Sequence, residues 1–174
     1  MLLRCCGGIP LLLASFLLVA QAARLEGQDV QSVLDTSLRG ITSVSVFMND
    51  IDADAESDGL LKSQIKTAVE LRLRQSAIRV VPESPADGLH AAIWVAVNTK
   101  KLRQVDNYIF DIQTRVLRDV VIAGNKQSGT AITWWTPTAM AITPIQDLAK
   151  HVREVVNDQI DALANAYLSV NAKK

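Results

Sequence analysis

Cysteine, proline and aromatic residues are all scarce in this 174-residue chain, and its charges cancel. The two cysteines, Cys5 and Cys6, are adjacent near the N-terminus, so the rest of the chain has neither a disulfide nor a thiol nucleophile. The 18 basic and 18 acidic residues argue against nucleic acid or an anionic membrane as a partner of the whole chain. With eight glycines and five prolines, the sequence is not collagen-like, low-complexity or disordered.

Motifs of the familiar enzyme classes are also missing. The sequence has no zinc-ligand pattern, no glycine loop for phosphate and no nucleophile elbow. His90 and His151 are far apart, and neither is paired by spacing with a carboxylate or a second ligand. No cofactor is therefore expected. An enzyme is the most remote of the functions considered, since it would need catalytic residues brought together from distant parts of the chain.

The first 22 residues have the three parts of a secretory signal peptide. Arg4 supplies the positive charge, and the uncharged run Ile9–Ala20 is shorter than the roughly 20 residues that cross a bilayer. The motif Ala20-Gln21-Ala22 then places cleavage before Ala23. The sequence predicts an exported protein, periplasmic or secreted, with no transmembrane segment after cleavage. The alternatives are a buried helix or an uncleaved anchor.

The remaining chain is predicted to form one domain. Residues 23–40 are a lead-in with a possible short helix over Asp29–Arg39, residues 41–168 are the domain, and residues 169–174 are a tail. Apolar periodicity predicts five strands and two long helices within the domain. The strands are Ile41–Met48, Ile78–Val81, Leu89–Asn98, Tyr108–Val121 and Thr130–Trp135. The helices are Leu60–Gln75, capped by Ser57 or Asp58, and a second one from Thr143-Pro144 to Tyr167.

The strand Tyr108–Val121 alternates most clearly, with an apolar face and a face that carries Gln113 and Arg115. Such alternation is typical of an antiparallel sheet that is buried on one side only. If the first two strands are parallel neighbours, the helix between them crosses over right-handedly. The sequence therefore predicts an α+β two-layer sandwich of order β-α-β-β-β-β-α. Its mixed, mostly antiparallel sheet has about five strands, and both long helices cover one face.

Four segments resemble a group of uncharacterised exported bacterial proteins: VELRLRQSAIRVV, YIFDIQTRVLRDVVI, TAITWW and VNDQIDALANAYLSVNAK. This resemblance covers most of the chain after the signal peptide and implies no particular activity. The order of elements is also similar to small periplasmic α/β domains of envelope assembly, such as the N-terminal domain of the Tol-system propeller protein. That likeness is one of topology, and topology does not define function.

Alternating carboxylates form a weak calcium candidate. They belong to Asp50, Asp52, Asp54, Glu56 and Asp58, and hard cations prefer such oxygen ligands. No register, however, places both the glycine and the final bidentate carboxylate of an EF-hand. The simpler interpretation is a solvated loop whose acids favour the positive N-terminus of the next helix.

The tryptophans are the second candidate. Trp134 and Trp135 are consecutive in a strand, so they are predicted to point to opposite faces of the sheet. Trp94 is predicted to share the wetter face with Gln113 and Arg115, where it could stack on a sugar ring or on a partner's side chain. The alternative is that these rings cover small neighbours or pack under a loop.

The uncharged segment 136–144 is predicted to be a loop, and it contains Met140 and Ile142. These side chains either dock a partner or pack on the helices. Taken together, the sequence predicts an exported, non-enzymatic domain that binds a partner or assembles in the cell envelope. The second hypothesis is a small-ligand binder, for example for carbohydrate, that uses its exposed tryptophans. The partner is accordingly an unknown envelope protein or a small ligand.

Overall fold

The computed structural model describes residues 30–82 and 90–171. The chain divides into two compact units, Met1–Leu34 and Asp35–Lys174. The described part of the first unit, residues 30–34, is helical. The predicted signal peptide lies outside the described residues.

The second unit is built on one five-stranded sheet. Its strands are β1 (Ser43–Met48), β2 (His90–Leu102), β3 (Asn107–Val121), β4 (Ser128–Trp135) and β5 (Ala139–Pro144). β1 and β2 are parallel, whereas β2, β4 and β5 all pair antiparallel with β3. The predicted α+β class with a mixed, mostly antiparallel sheet is therefore confirmed.

β4 and β5 lie end to end along the same edge of β3. The C-terminal half of β3 pairs with β4, from Arg115 to Val121, and its N-terminal half pairs with β5, from Asn107 to Ile112. β2 occupies the other edge of β3 from Asn107 to Leu117. This arrangement makes β3 the central strand, and its alternation defines the two faces of the sheet.

Two long helices cover the face that carries the even-numbered side chains of β3. A short helix α1 (Ala53–Ser57) precedes α2 (Lys62–Gln75), and a 3-10 turn (Ile145–Asp147) leads into α3 (Leu148–Asn171). Among the described residues, no helix combines the length and the apolarity that crossing a membrane requires. The core lies between sheet and helices, and its largest fully buried members include Trp134, Tyr108, Phe110, Ile112, Ile65, Leu73, Leu148 and Ile160.

Polar contacts fix how the helices lie on the sheet. In α3, the buried Gln159 donates from Nε2 to the carbonyl of Ile112 (2.9 Å) and accepts at Oε1 from the Thr114 hydroxyl (2.9 Å). Arg72 of α2 forms a bidentate ion pair with Asp161 of α3. That guanidinium lowers the pKa of the Asp161 carboxyl below its ordinary value. Gln159 thus sets the position of α3 over β3, and the ion pair joins the two helices.

The predicted strand Ile78–Val81 is wrong. Only Val80 forms an isolated bridge, to Val44, and its neighbours make two backbone hydrogen bonds to the same residue. Ala77 has a positive φ of 60°, so the chain turns immediately before this segment, and Pro82 lacks a backbone donor to extend pairing after it. The segment is too short to form a ladder between these two interruptions.

The predicted loop 136–144 is also wrong, because Ala139–Pro144 forms β5. β4 stops at Trp135 and leaves the N-terminal half of β3 without a neighbour on that edge. Its backbone donors and acceptors need partners, and β5 provides them. The number of strands therefore agrees with the prediction, but one member of the set differs.

The cap predicted for the first long helix is wrong as well. α2 begins at Lys62, and its N-cap residue is Leu61, which makes no side-chain cap. The capping carboxylate belongs instead to Asp52, which accepts from the backbone N–H of Asp54 (3.0 Å) at the start of α1. The acidic segment folds as a helical turn of its own, so its residues are not the first turn of the long helix.

Candidate functional site

The face of the sheet opposite the two long helices exposes large apolar side chains, and we call it the open face. It carries the odd-numbered side chains of β3, from Ile109 to Leu117. Six large apolar residues on this face are exposed: Phe47, Trp94, Ile132, Trp135, Met140 and Ile142. A soluble domain normally scatters such residues, and their concentration on one face is typical of an interaction surface.

Four of the open-face residues form one continuous row across four strands. Phe47 of β1 pairs with Trp94 of β2, Trp94 pairs with Arg115 of β3, and Arg115 pairs with Trp135 of β4. We call these four residues the aromatic row. Directly opposed residues in neighbouring antiparallel strands, such as Trp94, Arg115 and Trp135, have Cβ atoms about 4.5–5.5 Å apart. The register therefore brings together Trp94 and Arg115 as the sequence predicts, and adds Phe47 and Trp135.

An irregularity between β3 and β4 decides how the tryptophans face. The register shifts at Val116/Leu117, where Val116 opposes Trp134 and Leu117 opposes Ile132. Thr133 is therefore the additional residue of a β-bulge, and Ile132 and Trp135 both emerge on the open face. Trp134 is 2% exposed and lies in the core, whereas Trp135 is 39% exposed. The buried indole Nε1 of Trp134 donates to Asp35 Oδ1 (2.9 Å).

Arg115 is held by a short chain of hydrogen bonds. Its Nε donates to Gln113 Oε1 (2.7 Å), and Gln113 Nε2 donates to the carbonyl of Thr136 (3.3 Å). Thr136 is buried and makes two hydrogen bonds to the backbone of Thr114. Its N–H donates to the Thr114 carbonyl (2.9 Å), and its Oγ1 accepts from the Thr114 N–H (3.0 Å). The predicted pair Gln113 and Arg115 is thus in direct contact, and the guanidinium is oriented by the sheet itself.

The Arg115 charge has no ion-pair partner within residues 30–82 and 90–171. The two nearest acidic positions on the same face of β3 are occupied by other contacts. Asp111 accepts from Asn98 Nδ2 (2.7 Å), and Asp119 accepts from the Thr130 hydroxyl (2.9 Å). The described fold therefore leaves the terminal nitrogens of an oriented guanidinium without a partner, between two exposed indoles.

Met140 and Ile142 extend the apolar surface along β5. They are 72% and 63% exposed and pair with Asp111 and Ile109 of β3. Their exposure favours docking over packing on the helices. The whole stretch from Gln127 to Gln146, which forms the β4–β5 edge, carries no charged residue. Edge strands of soluble proteins are usually protected by charge or proline, and β5 has proline only at its last position.

The acidic segment, in contrast, uses its carboxylates one at a time. Asp50 pairs with Lys62 (2.7 Å), Asp54 with Arg103 (3.3 Å) and Asp58 with Lys101 (2.7 Å). In the part of the chain that the structure describes, no three His, Cys, Asp or Glu residues converge as a metal site would require. The calcium hypothesis, which also includes Asp52 and Glu56, stays a prediction.

Asp58 has the most elaborate surroundings of these acids. Its Oδ2 accepts from Lys101 Nζ and from the hydroxyl of the buried Tyr108, each at 2.7 Å, and the ammonium lies 5.7 Å from the Tyr108 ring centroid. The hydrogen bond from Lys101, followed by that from Tyr108, lowers the pKa of the Asp58 carboxyl. Burial, followed by the contact with Asp58, raises the pKa of the Tyr108 phenol well above its ordinary value. The trio joins α1 to β2 and β3.

The two histidines have hydroxyl neighbours. The buried His90 lies between two serines of β1, with Ser43 Oγ 3.1 Å from Nδ1 and Ser45 Oγ 2.9 Å from Nε2. Ser45 is 1% exposed, which leaves a substrate no access to its hydroxyl. His151 Nδ1 lies 2.6 Å from Thr143 Oγ1. These contacts are structural in character, although Ser45 and His90 include the atoms of a nucleophile and a base.

A surface cleft of about 520 Å³ lies where β2 turns towards β3. It is lined by Asp52, Asp54 and the segment 100–105. Acids and bases face each other across it, and Asp54 is already paired with Arg103. Because charges of the cleft already compensate one another in part, we take the open face rather than this cleft as the principal candidate site.

Sequence reasoning missed Phe47 and Ile132. For Phe47 a signal existed, because the alternation of Val44, Val46 and Met48 on one face of β1 requires Phe47 to point to the other. For Ile132 no local signal existed. Regular alternation from Trp135 would have placed it on the Trp134 face, and only the bulge moves it to the open face.

No protein-family model matches the chain, and no curated protein matches it significantly. Among solved structures, a PelC dodecamer from Paraburkholderia phytofirmans in two crystal forms is 13% and 16% identical, with TM-scores of 0.40 and 0.37. The alignments cover 76% of this chain and 88% and 89% of that one. A minor lipoprotein from Acinetobacter baumannii is 12% identical over 74% of this chain and 92% of its own, with a TM-score of 0.39. Likenesses this weak carry no functional argument, and the Tol-system comparison stays a prediction.

Proposed function

We propose that this protein is an exported, non-enzymatic domain of the cell envelope that binds a partner protein on the open face of its sheet. The observation that carries the proposal is the aromatic row, in which register pairs Phe47, Trp94, Arg115 and Trp135 across four strands. Export is supported by the signal-peptide pattern of residues 1–22.

The shape and the chemistry of the open face both favour a protein as the partner. The face belongs to a sheet and presents side chains from all five strands, including Met140 and Ile142 on β5. Aromatic residues, Met and Arg are the types enriched at protein interfaces, and Trp and Arg are the commonest energetic hot spots. The uncharged β4–β5 edge borders the same face and adds no charge that a partner would have to desolvate.

A photo-crosslinking experiment in the native envelope tests this function. We would replace Ile132 of the open face with p-benzoylphenylalanine, and make the same replacement at Leu71, which is comparably exposed (53% against 46%) but lies on α2. A discrete adduct is expected from position 132, and it should disappear when Trp94→Ala and Trp135→Ala are added. The same adducts from both positions, or an adduct that the alanine substitutions leave unchanged, would contradict the proposal.

The second candidate function is carbohydrate binding, and a specific observation supports it. Trp94 and Trp135 are both 39% exposed and flank a guanidinium, and stacking on indole rings is open to sugars as well as to side chains. Trp134→Phe would remove the fluorescence of the buried indole, so that only these two tryptophans report. A concentration-dependent change with one member of a glycan panel, abolished by Trp135→Ala, would favour this function over a protein partner.

A further inference from the structure

We propose that Arg115 binds a carboxylate of the partner protein, carried by an Asp or Glu side chain with apolar neighbours. This inference rests on the proposed function, because it concerns the same open face, and it specifies the chemistry that the face recognises. Three observations carry it: the orientation of the guanidinium, the absence of an internal counter-charge and the rings on either side.

The guanidinium is oriented before any partner arrives. Its Nε donates to Gln113 Oε1. The Gln113 amide presents this oxygen to Arg115 because its Nε2 donates to the Thr136 carbonyl. Thr136 is itself fixed to the backbone of Thr114. With Nε engaged, the two terminal nitrogens remain, and their spacing matches the two oxygens of a carboxylate. A side chain that is already ordered loses less entropy on binding, so Gln113 acts as the positioning residue.

The charge is uncompensated within the described residues. None of their acids pairs with Arg115, and Asp111 and Asp119 on the same face are engaged with Asn98 and Thr130. A partner that covered the face with apolar groups alone would bury this cation without a counter-charge, which costs free energy because the charge loses its hydration. A carboxylate removes that cost, so charge complementarity selects an acidic partner.

The rings decide what surrounds the carboxylate. Trp94 and Trp135 oppose Arg115 from both neighbouring strands, and Phe47 continues the row beyond Trp94. Apolar groups of the partner that pack on these rings exclude water from the ion pair, which strengthens it. The geometry thus fits an acidic residue set among apolar ones. A uronic acid would satisfy the same atoms, and the experiments below distinguish it.

The first experiment tests the anion site with a defined probe. The ¹⁵N-labelled protein is titrated with sodium benzoate, and with benzamide as the neutral analogue of the same shape. Benzoate is expected to shift the indole N–H signals of Trp94 and Trp135, with an apparent Kd about tenfold lower than that of benzamide, as one charge-assisted bidentate contact implies. Equal affinities for the two probes would overturn the inference.

Three variants make the assignment specific to Arg115 and Gln113. Arg115→Met should reduce the affinity for benzoate to that for benzamide. Arg115→Lys should have an intermediate affinity for benzoate, because an ammonium keeps the charge but lacks the two parallel donors of a guanidinium. Gln113→Glu should also abolish the preference for benzoate although Arg115 is intact, because the new carboxylate pairs with the guanidinium. The matched controls are Arg79→Met and Gln146→Glu, at exposed positions away from the row. A Gln113→Glu variant that still prefers benzoate would contradict the contact between residue 113 and the guanidinium, on which the positioning role rests.

The crosslink from position 132 separates this inference from the proposed function. We expect the adduct to be lost in Arg115→Met. We also expect the crosslinked peptide of the partner to contain an Asp or Glu, and replacing that residue with Asn or Gln should abolish the adduct equally. An adduct that is lost in Trp94→Ala/Trp135→Ala but kept in Arg115→Met would overturn the carboxylate inference and leave the function intact. An adduct kept in every variant would overturn both. A crosslink to a glycan instead of a peptide would contradict the inference that the partner bound at Arg115 is a protein.

Discussion

Trp134 and Trp135 are adjacent in β4, yet one indole lies in the core and the other on the open face. Trp134 is 2% exposed and donates to Asp35, whereas Trp135 is 39% exposed and opposes Arg115. Consecutive residues of a strand must point to opposite faces, so the division itself is a property of the strand. The pair therefore provides matched variants for separating folding from binding.

We expect Trp134→Ala to lower the free energy of unfolding by about 3–5 kcal/mol, since it removes a large buried ring and leaves a cavity. Trp135→Ala should cost less than about 1 kcal/mol, because the ring is partly solvated. Urea denaturation followed by circular dichroism measures both. Comparable losses for the two variants would show that Trp135 also serves packing, and would weaken the assignment of the open face as a binding surface.

The contact between Gln159 and Thr114 should be strongly coupled. Gln159→Leu leaves the Ile112 carbonyl and the Thr114 hydroxyl without their partner, so we expect a loss of about 1–3 kcal/mol in the free energy of unfolding. Adding Thr114→Val should cost less than it does in the wild type, because the hydroxyl has already lost its acceptor. Strictly additive losses in this double-mutant cycle would show that the hydrogen bond contributes little.

Asp58 should make the fold sensitive to acid. Its pKa is lowered by Lys101 and Tyr108, so its stabilising contribution is present above the unfolded pKa, near 3.8, and is lost as the pH falls through the lower folded value. The difference in the free energy of unfolding between wild type and Asp58→Asn should therefore be widest above about pH 5. It should decrease progressively as the pH falls below about 4. Urea midpoints across this range measure it, with Glu154→Gln as an exposed control. A pH-independent difference would contradict the ion-pair assignment.

Replacing Met140 and Ile142 with serine should spare the fold and impair binding. Both side chains are largely exposed, so the double variant is expected to change the free energy of unfolding by less than about 1 kcal/mol. The adduct from position 132 should nevertheless weaken, because β5 borders the proposed interface. Leu71→Ser, on α2, is the control and should leave the adduct unchanged. Loss of folding in the double variant would instead show that β5 packs through these residues.

Calcium at millimolar concentration is not expected to bind the acidic segment. Asp50, Asp54 and Asp58 are each engaged by a separate basic residue, and a cation would have to displace those partners. Isothermal titration with millimolar CaCl₂ is therefore expected to show no binding heat. Saturable binding that Asp54→Asn and Asp58→Asn both weaken would establish the site that the alternating carboxylates predict.

The fold class could be read from the sequence because local alternation and helical periodicity report directly on burial. Tyr108, Phe110, Ile112 and Val116 share one face of the strand, and the structure buries all four. The same logic failed at Ile78–Val81, where apolar character alone predicted a strand. Whether a short segment forms a ladder depends on how the turn at Ala77 delivers it to its neighbour, and that is not a local property.

The candidate site could be predicted only in part, for a related reason. The sequence predicts Trp94, Gln113 and Arg115 on one face because period-2 alternation is local. Which of Trp134 and Trp135 joins them depends on the register of β4 against β3, and Ile132 joins them only through the bulge at Val116/Leu117. Register is decided by pairing between distant segments, and a shift of one residue exchanges the two faces.

The amino-acid sequence by itself determined the α+β class, the export pattern, the lack of catalytic motifs and the alternation that makes β3 two-faced, because each depends on neighbouring residues. Only the tertiary structure decided that residues 139–144 complete the sheet, that Gln113 orients Arg115, and that Phe47, Trp94, Arg115 and Trp135 meet in one row. The row joins residues from four strands and the complete sheet joins five, and folding brings these strands together by satisfying the backbone hydrogen bonds between them.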